Sequence, residues 1–585
     1  MTASFERRLP FGATLDQTRV SFRFWAPAHP EVRLEIRDRD PVKMARGADG
    51  WFSATVEAEA GARYRFHLPD GLTVPDPASR FQDGDIHGWS VLVDPKAYQW
   101  RTADWKGRPW HEAVVYELHA GCFGGFKGVM QALPLLAELG ITAVELMPIA
   151  DFPGARNWGY DGVLPYAPDA AYGTPDELKA LIDRAHELGL MMLLDVVYNH
   201  FGPDGNYIGA YAPKAFRDDL ETPWGGAIDF RLPEVRSFFA ENALYWLMEY
   251  RFDGLRFDAV HAISEQDFID DMAAQIRAAE EEGFQRHLIL ENEFNEQSHL
   301  AKDVDAQWND DFHHVFHVAL TSEKEGYYED FADDLAGKLA RALSEGFVYQ
   351  GDPSPHQDGK PRGTPSAHLP PTAFVSFIQN HDQIGNRAFG DRLTTLAPPE
   401  GVEAATAALL LCPHIPMLFM GEEVASETPF LFFTDHNDEL AQAVRDGRRK
   451  EFAKFAAFAG AEIPDPNDPA TFDMSIPEPH PTRAEGRTAL IRRLLAIRAA
   501  EIAPRIPGAS SLGAEPVGPK AAIARWRMGD GAMLTLAVNL AEQPTPLADA
   551  LAGPVLFETT PGAADAARAG ELPGFTVVAL MERAA

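Results

Sequence analysis

Four stretches of this chain share one pattern, an uninterrupted apolar run that ends abruptly in polar, titratable residues. They are Met191-Met-Leu-Leu-Asp-Val-Val-Tyr-Asn-His200, Gly254-Leu-Arg-Phe-Asp-Ala-Val-His261, His287-Leu-Ile-Leu-Glu-Asn-Glu293 and Phe374-Val-Ser-Phe-Ile-Gln-Asn-His-Asp-Gln383. Continuous apolar runs suit strands buried on both faces, as in a parallel sheet covered by helices. Between them, apolar residues recur at helical spacing over 175–188 and 264–282, which predicts helices there. The stretch 404–420 is interrupted by Pro413, His414 and Pro416 and reads as a helix followed by a strand, not as a membrane span. Strands alternating with helices over several hundred residues predict an α/β fold, either an open doubly wound sheet or a barrel. Polar residues gathered at the C-terminal ends of many strands favour the (β/α)8 barrel.

The pattern changes at both ends of the chain. Short alternating segments such as Val20-Ser-Phe-Arg-Phe-Trp25 and Val32-Arg-Leu-Glu-Ile36, separated by Pro and Gly, predict a β-sandwich over residues 1–103. The barrel is expected over 104–502, with only a reduced excursion after its third strand. A final set of strands, including Ala522-Ile-Ala-Arg-Trp526 and Met533-Leu-Thr-Leu-Ala-Val538, predicts a β domain over 503–585.

Side chains alternate along a strand, so Arg256 and Asp258 point one way while Leu255 and Phe257 point the other. A buried arginine beside an aspartate is costly unless the pair is hydrogen-bonded or put to use. The guanidinium favours the charged carboxylate, the form a carboxylate nucleophile needs. Viewed alone, the pair serves equally well as a packing element.

Together, Asp195-Val-Val-Tyr-Asn-His200, Gly254-Leu-Arg-Phe-Asp258, Leu288-Ile-Leu-Glu291 and Asn380-His-Asp382 resemble the four ordered signature regions of the α-amylase superfamily of glycoside hydrolases. That resemblance implies Asp258 as nucleophile, Glu291 as general acid and base, and Asp382 as the third carboxylate, binding sugar hydroxyls and stabilising the transition state. It implies substrate contacts for His200, His381 and Arg256, an aromatic platform at Tyr160, a weaker candidate at Asp161, and a supporting role for Asp195. Such a retaining pair stands about 5 to 5.5 Å apart. Glu291 must keep its proton near neutral pH, so its pKa is expected to be raised by nearby negative charge and by an apolar setting that Leu288, Ile289 and Leu290 could provide. Asn292 and Glu293 are secondary candidates to face substrate. His186 and His314 read as helix-surface or core histidines, and the Phe430 to Phe433 cluster reads as core. Phe24-Trp-Ala-Pro27 resembles the carbohydrate-binding-module-like domain that precedes many such barrels. Asn199 matches a calcium ligand of some relatives, but without a longer insertion no metal is expected, and no cofactor.

Longer segments resemble the branch of that superfamily that releases trehalose. They include Thr222-Pro-Trp-Gly-Gly-Ala-Ile-Asp229, Asp305-Ala-Gln-Trp-Asn-Asp-Asp-Phe-His-His314 and Gln379-Asn-His-Asp-Gln-Ile-Gly-Asn-Arg-Ala-Phe389. The implied substrate is maltooligosyl trehalose, cleaved at the α-1,4 bond next to its terminal trehalose. The glucan then lies against Tyr160 and His200, and His261, Trp224 and Gln383 are candidates for the leaving-group side. A branching or debranching α-glucan enzyme is the alternative. The sequence departs from this branch in a short segment after His119 and in Asn292-Glu293 in place of a Ser-Asp pair.

The net charge of −35 disfavours nucleic acid and anionic membranes as partners, whereas a neutral sugar is indifferent to it. Two cysteines, Cys122 and Cys412, give no disulfide framework. No signal-peptide core follows the first residues, so a cytoplasmic location is the expectation.

Overall fold

The computed structural model describes residues 3–222, 225–452 and 462–584. At its centre eight parallel strands close into a barrel, so the open-sheet alternative falls. The strands are β1 Val115–Leu118, β2 Ala143–Leu146, β3 Met191–Val196, β4 Gly254–Phe257, β5 His287–Leu290, β6 Ala306–Asn309, β7 Phe374–Ser376 and β8 Ile415–Phe419. The four polar-tipped runs supply β3, β4, β5 and β7.

Strand alternation sorts the side chains into two cores. Val115, Ala143, Leu193, Ile289, Trp308, Val375 and Met417 fill the barrel interior. Leu255, Phe257, Leu288 and Leu290 belong instead to the layer between strands and helices. Only Ile289 of the three apolar residues before Glu291 therefore lies on the inner side, which corrects the expected setting of that acid. Gly254 in β4 cannot carry a side chain, because a Cβ there would stand 2.5 Å from the His287 carbonyl oxygen.

The helix after β2 runs Pro175–Glu187 and ends at Leu188, as its periodicity predicts. Thr174 starts it with a capping box, accepting from the Glu177 N–H at 3.3 Å while Glu177 Oε2 accepts from the Thr174 N–H at 3.0 Å. The helix expected over 264–282 is shorter, Asp267–Ala279. At its start the Gln266 side chain bonds back to the Val260 and Ile263 carbonyls at 2.8 and 2.6 Å. At its end Glu280 turns extended, where three successive glutamates would crowd like charge onto one turn before Gly283. The stretch 404–420 forms the helix Pro399–Leu411 and β8. The short segment after His119 is a single turn, Ala120–Phe123, leading straight into the helix Gly125–Leu139.

Before the barrel, two antiparallel sheets face each other through Phe22 on Tyr64 and Phe24 on Phe66, with ring centroids 4.8 and 4.2 Å apart. After it, the helix Ala484–Ile497 continues in a wider turn to Ile502, and a five-stranded antiparallel sheet follows, beginning with Ser510–Gly518. Cys122 and Cys412 are buried free thiols. Among the described residues, no helix is long and apolar enough to cross a membrane.

Asp183, on the helix Pro175–Glu187, ties the segment entering the barrel to the barrel itself. Its fully buried carboxylate accepts from Tyr98 Oη at 2.9 Å, from the N–H groups of Arg101 and Thr102 at 3.0 Å each, and from Thr102 Oγ1 at 2.6 Å. Burial alone would raise this carboxyl, but the donors from Thr102, Arg101 and Tyr98 outweigh it and hold it at about 2. We expect Asp183→Asn to cost about 2 to 4 kcal/mol, because charge-assisted hydrogen bonds are lost. The native group is depressed, so its contribution is complete above the ordinary aspartate value and disappears as pH falls toward 2. Urea midpoints of wild type and variant should therefore differ at pH 7 and converge in acid.

Candidate active site

The site begins on β4. Arg256, fully buried, lies with its guanidinium carbon 4.0 Å from the centre of the Trp308 ring on β6. Its Nη1 donates to Asp195 Oδ1 and Oδ2 at 3.0 and 2.9 Å and to Asp258 Oδ1 at 2.7 Å. Asp258 follows β4 and shares the inward side with Arg256, as strand alternation requires. Its side chain keeps 14% exposure, so the carboxylate opens to the cleft while its base is held.

Glu291 follows β5. Its Oε2 accepts the Ala259 N–H at 2.6 Å and stands 3.8 Å from Arg256 Nη2. Ala259 adopts a left-handed backbone, with φ of 40°, a strained setting for a residue with a Cβ. Because Oε2 takes that N–H, the proton of the neutral acid belongs on Oε1. Burial pushes Glu291 up to about 8; Arg256 opposes this, and the charges of Asp258, Asp310 and Asp382 reinforce it. The raised value therefore owes more to burial and neighbouring carboxylates than to the leucines of β5.

Beyond β7, Asn380 caps a short helix by accepting the N–H groups of Asp382 and Gln383 at 3.0 and 3.2 Å. Asp382 projects into the cleft, its side chain 45% exposed, with Asn386 Nδ2 donating to Oδ1 at 3.1 Å. His381 turns inward, its Nδ1 2.5 Å from Glu117 Oε1 on β1 and its Nε2 2.9 Å from Tyr160 Oη. Tyr160 gives its proton to Asp195 Oδ2 at 2.6 Å, so it must accept from His381 Nε2–H. Both ring nitrogens of His381 are then donors, which makes it an imidazolium. Burial works against that charge, but Glu117 and Asp382 prevail and push His381 up to about 9. Asp195 is pushed up to about 7 by burial and the charge of Asp258, against the pull of Arg256 and Tyr160.

His200 bonds the Tyr160 carbonyl through Nε2 at 2.9 Å and Asn199 Oδ1 through Nδ1 at 3.0 Å. Asp161 is held by Asn157 at 2.6 Å, away from the carboxylate centre. His261 packs edge-on to Phe294, with centroids 5.3 Å apart, and its Nδ1 accepts the Glu293 N–H at 3.3 Å. The Glu293 side chain is 54% exposed, whereas Asn292 is buried and closes a turn onto the Phe294 N–H. Gln383 Nε2 donates to Asp310 Oδ1 at 2.9 Å. Trp224 lies outside the described residues. His186 is a buried helix residue paired with Asp253, and His314 is buried among aromatic rings. Sequence reasoning passed over Glu117, and it took Trp308 and Asp310 only as part of the segment 305–314, without a role for either. All three sit in or directly after inward-facing strand positions, the same signal that exposed Asp195, Asp258 and Glu291.

A closed parallel barrel with an arginine-held carboxylate, a proton-retaining glutamate and a third carboxylate at its C-terminal face defines an amylase-type glycoside hydrolase. Residues 77–218 match the family model for the alpha amylase catalytic domain, and residues 509–578 match a domain of unknown function, DUF3459. The malto-oligosyltrehalose trehalohydrolase of Saccharolobus solfataricus is 40% identical over 484 residues, covering 80% of this chain and 83% of that one. Its Deinococcus radiodurans counterpart is 42% identical, covering 77% and 76%. The chain belongs to the malto-oligosyltrehalose trehalohydrolase family. The crystal structure of a candidate alpha amylase from Salmonella typhimurium superposes with a TM-score of 0.92 at 44% identity, covering 99% of this chain and all of that one. A pullulanase from Anoxybacillus sp. shares the fold, with a TM-score of 0.68 at 18% identity.

The state of Glu291 fixes the sign of a pH dependence. In the general-acid role that the sequence resemblance implies, Glu291 must be protonated to assist departure, so kcat/KM on an α-glucan substrate should fall as pH rises through about 8. A glycosyl fluoride, whose leaving group needs no proton, should lack that alkaline limb. An unchanged limb with the fluoride would assign the titration to another group.

Proposed function

We propose that this chain hydrolyses the α-1,4-glucosidic bond next to the terminal trehalose of maltooligosyl trehalose, releasing trehalose with retention at the anomeric carbon. Relatives carrying that activity in their names, similar over most of both chains, support the substrate. The observation that carries the chemistry is the Arg256 guanidinium. It bonds Asp258 at 2.7 Å while its other nitrogen stands 3.8 Å from a glutamate that keeps its proton up to about 8.

In the first step an Asp258 oxygen attacks the anomeric carbon as Glu291 gives its proton to the departing trehalose oxygen, leaving a glucosyl ester on Asp258. In the second, the Glu291 carboxylate takes a proton from water, and the resulting hydroxide displaces Asp258 at the same carbon. Asp382 binds hydroxyls of the reacting sugar, whereas His381, expected to do the same, has both ring nitrogens committed to Glu117 and Tyr160 and only 1% of its side chain exposed, so it acts by orienting Tyr160. Tyr160 and His200 line the glucan side, while His261, Gln383 and Trp224 serve the leaving-group side. Asp195 positions Arg256 and Tyr160. In this reading residues 1–103 form a carbohydrate-binding-module-like sandwich, 104–502 the catalytic barrel and 503–585 a C-terminal β domain.

Product analysis tests the reading. Wild type should release free trehalose from maltooligosyl trehalose and leave the branch points of a branched glucan unaltered. Asp258→Asn and Glu291→Gln should each lose about 100-fold or more in kcat. Absence of free trehalose would overturn the substrate, and retained activity in both variants would overturn the mechanism.

A further inference from the structure

The proton donor fixes where the leaving group sits. Glu291 protonates the departing oxygen, so that group must rest against the walls on its side of the barrel, which come from β5 and β6. Tyr160 and His200, before and after β3, stand on the other side. Directly after β6 the chain carries two consecutive aspartates with different surroundings. Asp311 is fully buried and structural, its Oδ2 accepting from Asn295 Nδ2 at 2.9 Å and from the N–H groups of Val348 and Tyr349 at 2.8 and 3.1 Å. Its Oδ1 pairs with Arg362 at 3.0 Å. These contacts lock the start of the helix Asp310–Thr321 and so fix the direction in which Asp310 points.

Asp310 Oδ1 is held by Gln383 Nε2 at 2.9 Å, and Oδ2 takes no hydrogen bond among the described residues. Gln383 is nine-tenths buried, and its own Oε1 also has no partner. Burial and the charge of Asp382 push Asp310 up to about 6, and Asp310 is in turn among the charges that raise Glu291. Tyr327, with 40% of its surface exposed, packs on His314, one turn along the helix that Asp310 begins, with ring centroids 4.9 Å apart. A carboxylate with one oxygen anchored and one open, on a helix whose next turn seats an exposed ring, is the equipment for gripping a sugar by its hydroxyls and its apolar face.

We propose that Asp310 selects the leaving disaccharide, its open oxygen accepting hydroxyls of the departing trehalose while the ring of Tyr327 packs against the sugar. The inference rests on the trehalose-releasing reading above. A site built to bond particular hydroxyls discriminates strongly, because a misfitting sugar leaves its buried polar groups unpaired.

The test compares wild type with Asp310→Asn, which keeps the side chain's shape. Initial rates are measured on maltooligosyl trehalose and on a plain maltooligosaccharide of equal length, alongside inhibition by added trehalose. The ratio of kcat/KM for the two substrates should fall about 10-fold or more in the variant, and trehalose should inhibit it more weakly by a similar factor. Glu291 should also titrate lower, moving the alkaline limb to lower pH. Thermal melting establishes that the variant is folded, and Tyr327→Ala, which leaves the contacts of Asp310 and Asp311 in place, provides a second route to weakened trehalose inhibition. If wild type releases no trehalose, the functional reading falls and this inference with it. If wild type releases trehalose but the selectivity ratio and trehalose inhibition are unchanged in folded Asp310→Asn, only the assignment of Asp310 is overturned.

Discussion

The site depends on one buried cation. Removing the Arg256 guanidinium from water is expensive, and such a group survives only where its donors are matched and its charge is compensated. Here Asp195 and Asp258 share Nη1, and the face of Trp308 lies against the guanidinium plane, a favourable seat for a cation. Among the described residues Nε and Nη2 have no hydrogen-bond partner, so the compensation is concentrated on the side facing Asp258. The position of Asp258 is thus a consequence of the same packing that closes the barrel.

Around that cation the barrel is graded from dry to charged. Its lower interior is apolar, followed by a level with Glu117, Glu145, Asp195 and Arg256, and then by Asp258, Glu291, Asp310 and Asp382 at the rim. Two stable cations, Arg256 and the His381 imidazolium, cannot neutralise so many carboxylates. Protons must therefore be retained on some of them. Burial and the charges of Glu117 and Asp195 push Glu145 far up, and Glu291 keeps its proton to about 8. The acid is defined by a shortage of positive charge as much as by an apolar wall.

Much of this was legible in the amino-acid order, because four barrel strands are apolar runs that stop at functional side chains. Period-two alternation put Arg256 and Asp258 together correctly. The same rule, applied to β5, turns Leu288 and Leu290 away from the acid, a point that the apolar character of the run concealed. Glu117 and Asp310 were harder to see. Asp310 follows Gln307 and Asn309, polar residues that alternate with Trp308, point away from the barrel interior and bond the Asn292 and Gly346 carbonyls, so no clean apolar run ends at it. Its division of labour with Asp311 depends on Val348, Tyr349 and Arg362, contacts that no local pattern encodes. The exposure of Tyr327 and Phe294 likewise follows from the path of the surrounding chain.

The left-handed turn at Ala259 joins the two reacting groups in a way that packing alone would not. The residue next to Asp258 supplies the N–H that seats Glu291 at 2.6 Å, so both carboxyl groups are referenced to a single short piece of main chain. Displacement of that piece carries Asp258 and Glu291 together, as two jaws on one frame.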